Sequence, residues 1–172
     1  MIADTIRLLL SNLPVVFCLG ALLAGATLGR PEPWPDRYLS WLLLLAVGAD
    51  GVWAGFFHVF LPEIASRQIG WQPSPFEFEV GIADLSLGMV AILSFWRRFE
   101  FKAAIAVYAI LFHAGVSIGH VIQAFGDGDV APDNFGTLLI LTILRAGALT
   151  WLLLACSRNH ATESARQKRL AA

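Results

Sequence analysis

Charged residues are scarce in this sequence. Only 15% of the 172 residues are Asp, Glu, Lys or Arg, and 57% are hydrophobic, whereas soluble domains average about 25% charged residues. This amount of polar surface is too small to cover a soluble globule, which excludes the class of ordinary soluble domains. The net charge of −1 also provides no basic field of the kind that binds nucleic acid.

Cysteines and catalytic motifs are scarce as well. The two cysteines, Cys18 and Cys156, lie far apart in apolar stretches and lack the spacing of a disulfide framework or a zinc site. We interpret both as small core residues. The chain has no nucleophile motif and no nucleotide-binding loop. An enzymatic activity is therefore neither indicated nor excluded.

Long apolar runs make up most of the chain. A helix needs about 20 apolar residues to cross a bilayer core of about 30 Å, and polar turns rich in Pro and Gly separate the runs. We predict one all-α domain, 1–156, forming a polytopic membrane bundle of about five spans. The predicted spans are about 6–29, 38–61, 75–96, 101–125 and 134–156, followed by a polar cytoplasmic tail, 157–172.

The distribution of Lys and Arg predicts the orientation of this bundle. With five spans, nine of the twelve basic residues fall on one side, Arg7 and Arg67 fall on the other, and Arg145 lies within a span. Basic loops remain in the cytoplasm. We therefore predict an outside N-terminus and a cytoplasmic C-terminus in a multi-pass protein of a bacterial-type inner membrane.

One alternative start of the mature chain follows from Ala24-Gly25-Ala26, which resembles a signal-peptidase site after an apolar run. Cleavage there would invert the remaining spans. It would also export Arg97, Arg98 and Lys102, which the charge rule opposes.

Four ionisable residues lie near the predicted midplane: Asp50, Asp84, His113 and Arg145. A charge at this depth costs at least about 2.5 to 3.5 kcal/mol. Arg145 is too deep to reach the headgroups, so it needs an internal anion, and Asp50 and Asp84 are available. We interpret this buried charge network as an ion pair that locks helix packing, as a proton or ion path, or as a contact for an anionic substrate.

A second set lies about 6 to 8 Å below the predicted outer ends of three helices. It comprises His58, Glu79 and His120, and two imidazoles with one carboxylate are a common ligand set for a transition metal. His58 and His120 could alternatively be the axial ligands of a haem iron. The structural alternative is a polar packing or proton-handling network between helices.

Glu77 has a different predicted role, because its spacing from Ser74 matches a helix capping box with Pro75 at the first helical position. We therefore assign Glu77 to the helix start and Glu79 to the candidate site.

Small residues predict which helices pack most closely, because helix association in lipid depends on close backbone approach. We expect the second, third and fourth spans to form the tight core, and the first to be peripheral. The glycines concerned are Gly48, Gly51, Gly55, Gly81, Gly88, Gly115 and Gly119. Tryptophans near span ends, Trp71 among them, suit the interfacial aromatic belt.

The stretch Ile69 to Leu85, IGWQPSPFEFEVGIADL, resembles a family of small prokaryotic multi-pass membrane proteins of unknown function. Phe57-His58 and Gly119-His120 are similar to that family as well, so the resemblance covers about 56–120. It implies a membrane protein without an assigned activity. It also implies a structured outer connection beside His58 and Glu79.

Three functional hypotheses follow. The first is a membrane protein that binds a transition metal or haem through His58, Glu79 and His120. The second is a proton-coupled carrier or channel whose path is Asp50, Asp84, His113 and Arg145. The third is a non-catalytic accessory subunit, with the lipid bilayer and either a homo-oligomer or a larger membrane complex as its partners.

Overall fold

The computed structural model describes residues 12–28, 31–72, 74–131 and 134–171, which form six helices and no strand. The helices are α1 (Leu13–Thr27), α2 (Trp34–Phe60), α3 (Pro62–Ile69), α4 (Pro75–Ser94), α5 (Phe99–Gly126) and α6 (Thr137–Leu170). The predicted all-α class is confirmed. The predicted beginning of the first span, at about residue 6, lies outside the described residues.

Three of these helices, α2, α5 and α6, are long and apolar enough to cross a membrane, as a membrane protein requires. In α4, which has 20 residues, Glu77, Glu79 and Asp84 lower the hydropathy. The predicted tail does not form a separate element, because α6 continues as one helix to Leu170.

Proline and glycine set several helix ends. Pro35, Pro62 and Pro75 each lie in the first turn of a helix, where the missing N–H would have had no helical partner. Gly70 ends α3 with a φ of +90°, a left-handed conformation that favours glycine. Pro62, Gly70 and Pro75 make the sharp connection between α2 and α4.

Contacts across the bundle define its two ends. At the first, here called the α3 end, Trp71 next to α3 donates a hydrogen bond of 3.0 Å to Gln123 near the end of α5. At the other, here called the tail end, the His160 ring of α6 bonds Asp36 at 2.6 Å and stacks on Phe99 at 4.3 Å. Residues 157–170 of α6 are here called the α6 extension. The contacts of His160 fix the beginning of this extension to α2 and α5.

α2 and α4 approach each other backbone to backbone. A methyl group at Gly51 would lie 3.0 Å from the carbonyl oxygen of Asp84, and one at Gly88 would lie 2.6 Å from the amide nitrogen of Val52. Only glycine permits this approach without a shift of the backbone. The contact holds the turn with Asp84 against the turn that follows Asp50.

The α5 glycines do not take part in such a contact. A methyl group at Gly115 or Gly119 would meet no other described atom within 4 Å. The prediction that these two glycines bring α5 into the tight core is therefore wrong. Glycine spacing alone does not distinguish a packed helix face from one that borders lipid or a cavity.

The apolar core fills the half of the bundle nearer the tail end. Its largest side chains come from α2 and α6 and are at most 3% exposed: Leu39, Leu42, Leu43, Leu149 and Leu152. Towards the α3 end, the same two helices continue into Asp50 and Arg145 respectively. The packed layer therefore ends where the ionisable side chains begin.

Candidate functional site

A central cavity of about 270 Å³ lies between α2, α4, α5 and α6, in the half of the bundle nearer the α3 end. Six ionisable side chains singled out from the sequence line it: Asp50, His58, Asp84, His113, His120 and Arg145. They come from four helices, so the fold collects residues that are up to 95 positions apart. The seventh candidate, Glu79, is exposed on α4 and does not line this cavity.

An ion pair forms the inner end of this set. The Arg145 Nη1 group donates hydrogen bonds to Asp50 Oδ2 and to the carbonyl oxygen of Ala46. Asp50 and Arg145 are only 7% and 5% exposed, so each compensates a charge that the interior would otherwise disfavour strongly.

The backbone of α2 is adapted to this pair. Leu42–Ala49 forms a π-helical stretch that ends immediately before Asp50. π-helical turns inside α-helices are rare and are frequent at functional sites. Here the stretch contains the Ala46 carbonyl that accepts from Arg145, so the irregular backbone and the buried charge occur together.

Three residues that line this cavity each carry a buried nitrogen with no hydrogen-bond partner among the described residues. They are Nε of Arg145, Nδ1 of His58 and Nδ1 of His113. Buried polar atoms are nearly always paired.

Asp84 differs from Asp50 in its surroundings. It lines the central cavity, but within the described parts of the chain it makes no hydrogen bond or ion pair. Its carboxylate is therefore an acceptor on the cavity wall that does not already serve another side chain.

His58 is held by Glu77, and this corrects the prediction. Glu77 is 6% exposed, with Oε1 3.4 Å from His58 Nδ1 and Oε2 hydrogen-bonded to the Ser66 hydroxyl of α3. Ser74 makes no side-chain capping bond, so the capping-box interpretation is wrong. Glu77 and Glu79 are two positions apart, which is about 200° of helix rotation, so only one of them can face His58. Helix periodicity alone therefore indicated that the two carboxylates have different surroundings.

His120, unlike His58, is fixed by a hydrogen bond. Its Nδ1 lies 2.5 Å from the side-chain oxygen of Asn134, and the Asn134 amide donates to the carbonyl of Asp129 at 2.6 Å. Because an amide oxygen only accepts, Nδ1 of His120 is the donor and Nε2 is the acceptor. Asn134 is completely buried, and nothing in its sequence position indicated this role.

The expected three-residue metal site does not form among the residues that the structure describes. No group of three His, Cys, Asp or Glu side chains there is close enough to hold a metal ion. The physical reason is the position of Glu79, on the opposite side of α4 from the carboxylate that faces His58.

The hydrogen bond between Trp71 and Gln123 separates the central cavity from a surface cleft of about 410 Å³. Both residues line both spaces, and Asp127 and Asp129 lie on the cleft side only. The Trp71 ring lies 6.2 Å from that of His120. Trp71, which the sequence predicted as an interfacial residue, is thus part of the cavity wall.

A side cavity of about 620 Å³ lies between α2, α3 and the beginnings of α1 and α6. It shares Asp50 and His58 with the central cavity. Arg67 and Gln68 of α3 also line it. The two cavities therefore meet at the ionisable face of α2, towards the α3 end.

A second charged cluster at the tail end was not predicted from the sequence. The Lys102 side chain is 5% exposed, with Nζ 2.7 Å from the Ser40 hydroxyl and 4.0 Å from Glu32. Asp36 lies nearby, bonded to His160. In the sequence, Lys102 has the position of an ordinary loop charge, and only the packing of α2 against α5 buries it.

Comparison with known proteins gives a family but no activity. No curated protein matches the chain, and no solved structure matches it. The model of one family, described as "Family of unknown function (DUF6790)", matches residues 6–163. This match spans the helices that carry the site, and the chain therefore belongs to that family of unknown function.

Proposed function

We propose that the chain crosses a bacterial-type inner membrane five times, through α1, α2, α4, α5 and α6, with the α3 end outside. The charge distribution supports this orientation. Four of the twelve Lys and Arg lie on the α6 extension at the tail end, namely Arg158, Arg166, Lys168 and Arg169, and basic segments remain in the cytoplasm. The cavities then open towards the outer face.

We further propose that the protein is a proton-coupled membrane carrier, with the central cavity as its outward-facing site. The observation that carries this proposal is the collection of two carboxylates, three imidazoles and one guanidinium on one intramembrane cavity wall. Such groups inside membranes mark proton and ion paths when they face a hydrated space. Asp84 is the best proton site, because its carboxylate has no partner in the described protein.

The apolar layer on the cytoplasmic side of the cavity favours a carrier over an open channel. Leu42, Leu43 and Leu149 are at most 2% exposed and lie between the Asp50–Arg145 pair and the Lys102 cluster along their helices. No hydrated path crosses such a layer while it stays packed. Proton movement to the cytoplasm would therefore need a conformational change.

A liposome assay tests this proposal. Purified protein is reconstituted with a trapped pH-sensitive dye, and an imposed pH gradient is followed with time. The wild type should dissipate the gradient faster than protein-free liposomes, and Asp84→Asn should reduce the rate to the protein-free value. Glu79→Gln is the matched control, because it removes an exposed carboxylate from the same helix. A wild-type rate equal to that of empty liposomes would overturn the proposal.

A second candidate function is transition-metal or haem-iron binding by His58 and His120. The specific observation is that Nδ1 of each ring faces an oxygen, of Glu77 at 3.4 Å and of Asn134 at 2.5 Å. Histidines that ligate metals are commonly oriented in this way, with Nε2 as the ligand atom. Both rings line the central cavity.

Elemental analysis and optical spectra of the purified protein test the second candidate. Metal or haem should be present in stoichiometric amount in the wild type and be lost in both His58→Ala and His120→Ala. A wild-type protein without either, purified without chelator, would exclude this function and leave the carrier proposal intact.

A further inference from the structure

We infer that the central cavity binds a small organic amine in its protonated form, with the ammonium group at Asp84 and a compact apolar body in the rest of the space. This inference rests on the proposed carrier function and names the class of its cargo. Its support comes from the charge, the lining and the size of the cavity.

The charge of the cavity selects a cation. Arg145 is already neutralised by Asp50 at the inner end, which leaves the carboxylate of Asp84 as the uncompensated charge on the wall. The cleft outside the Trp71–Gln123 bond carries two more carboxylates, Asp127 and Asp129. Clefts lined by one sign of charge raise the local concentration of the opposite ion, so the approach and the site both favour a cation.

The lining selects an organic cation. Most of the residues around the charged groups are apolar, including Val80, Leu87 and Val116, and Trp71 and Phe112 add aromatic rings. A hydrated inorganic ion would gain nothing from such a wall. An apolar body gains free energy in proportion to the apolar area that it removes from water, and aromatic rings attract an adjacent ammonium group.

The polar groups suit an ammonium better than a metal ion. An ammonium needs hydrogen-bond acceptors, and the carboxylate of Asp84 provides them on the cavity wall. A metal ion held at Asp84 would need further close ligands, and no group of three His, Cys, Asp or Glu side chains suited to a metal occurs within the described ranges.

The binding of a cation at Asp84 also gives a simple coupling to protons. The carboxylate can hold either a proton or the ammonium group, but not both, because each neutralises the same charge. An amine that arrives from outside would therefore displace a proton from Asp84. No covalent step is involved, and the exchange conserves charge. Without an amine, the carboxylate returns empty, so a pH gradient alone drives a proton leak through the carrier, and this leak is the flux that the liposome assay follows.

Three probes of similar size and different charge test the inference: benzylamine, benzyl alcohol and phenylacetate. Their binding to the purified full-length protein in detergent is measured by isothermal titration calorimetry at neutral pH. Benzylamine should bind about tenfold more tightly than benzyl alcohol or better, as expected for one charge-assisted hydrogen bond, and phenylacetate should not bind. Asp84→Asn should remove the preference for the amine, whereas Glu79→Gln should retain it.

Equal binding of the amine and the alcohol, or binding of the acid, would overturn the inference. If Asp84→Asn does not fold, the comparison of the three probes on the wild type still decides. Failure of this inference is distinguishable from failure of the carrier proposal, because proton flux in liposomes is measured without any amine. Amine binding without proton flux would contradict the carrier proposal. Proton flux without a preference for the amine would contradict the inference about its cargo.

Discussion

Removal of one partner of the Asp50–Arg145 pair should destabilise the protein far more than removal of both. The Arg145 side chain is 4% exposed and the Asp50 side chain 10%, so Asp50→Asn leaves a buried guanidinium without its ion-pair partner. Breaking a buried pair in this way costs about 3 to 5 kcal/mol. Arg145→Gln should cost a similar amount, because it leaves Asp50 unpaired. The double variant carries no uncompensated charge and should lose less than either single variant.

A double-mutant cycle in detergent measures this difference. Unfolding of the wild type, the two single variants and the double variant is followed by tryptophan fluorescence as the denaturing detergent fraction rises. Independent sites add within about 0.5 kcal/mol, so a double variant whose loss equals the sum of the single losses would refute the reasoning. Single variants as stable as the wild type would refute it too, since the pair would then be solvated.

Three further predictions use the same unfolding assay or limited proteolysis. Gly88→Ala should destabilise the α2–α4 contact by about 1 to 3 kcal/mol through overpacking, whereas Gly115→Ala should be neutral or stabilising; equal effects would contradict the packing. Glu77→Gln should lower the free energy of unfolding by about 1 to 3 kcal/mol by weakening a buried polar network, and Glu79→Gln should leave it unchanged. A larger loss for Glu79→Gln than for Glu77→Gln would contradict the assignment of Glu77 to that network. His160→Ala should speed tryptic cleavage of the α6 extension, because His160 joins it to α2 and α5; an unchanged rate would show that other contacts fix the extension.

The helical class and most helix positions were predictable because they follow from local rules. Apolar runs of membrane length, proline at helix starts and glycine at a helix end act within a few residues. The predicted bounds of 38–61 and 75–96 therefore lie close to the observed Trp34–Phe60 and Pro75–Ser94. The sequence did not predict that α6 continues to Leu170. His160 and Asp36, whose contact fixes this part of the helix, are 124 positions apart in the sequence.

The candidate site was predictable in its members but not in its pairings. Ionisable residues in apolar helices stand out at once, and their depth follows from the rise per residue. Which face of α4 turns towards His58 depends on the packing of α2 against α4, and this decides between Glu77 and Glu79. The capping pattern at Ser74 favoured the wrong residue, since local pattern and tertiary contact competed for the same carboxylate.

The uncharged residues that hydrogen-bond to the cavity-lining rings were the least predictable part of the site. Asn134 and Gln123 hold His120 and Trp71 through single hydrogen bonds, and neither amide stands out in its sequence context. Tertiary contacts alone give these residues their roles.

The most direct test of the account concerns access to the central cavity from the outer face. Gly119 lines this cavity, and a side chain there would meet no other described atom within 4 Å, so Gly119→Cys should be tolerated in a background of Cys18→Ala and Cys156→Ala. A membrane-impermeant thiol reagent is applied to cells or to vesicles of known orientation, and labelling is read by mass. We predict labelling from the outside and none from the cytoplasmic side. Labelling only from the cytoplasmic side, or from neither side, would contradict an outward-facing cavity.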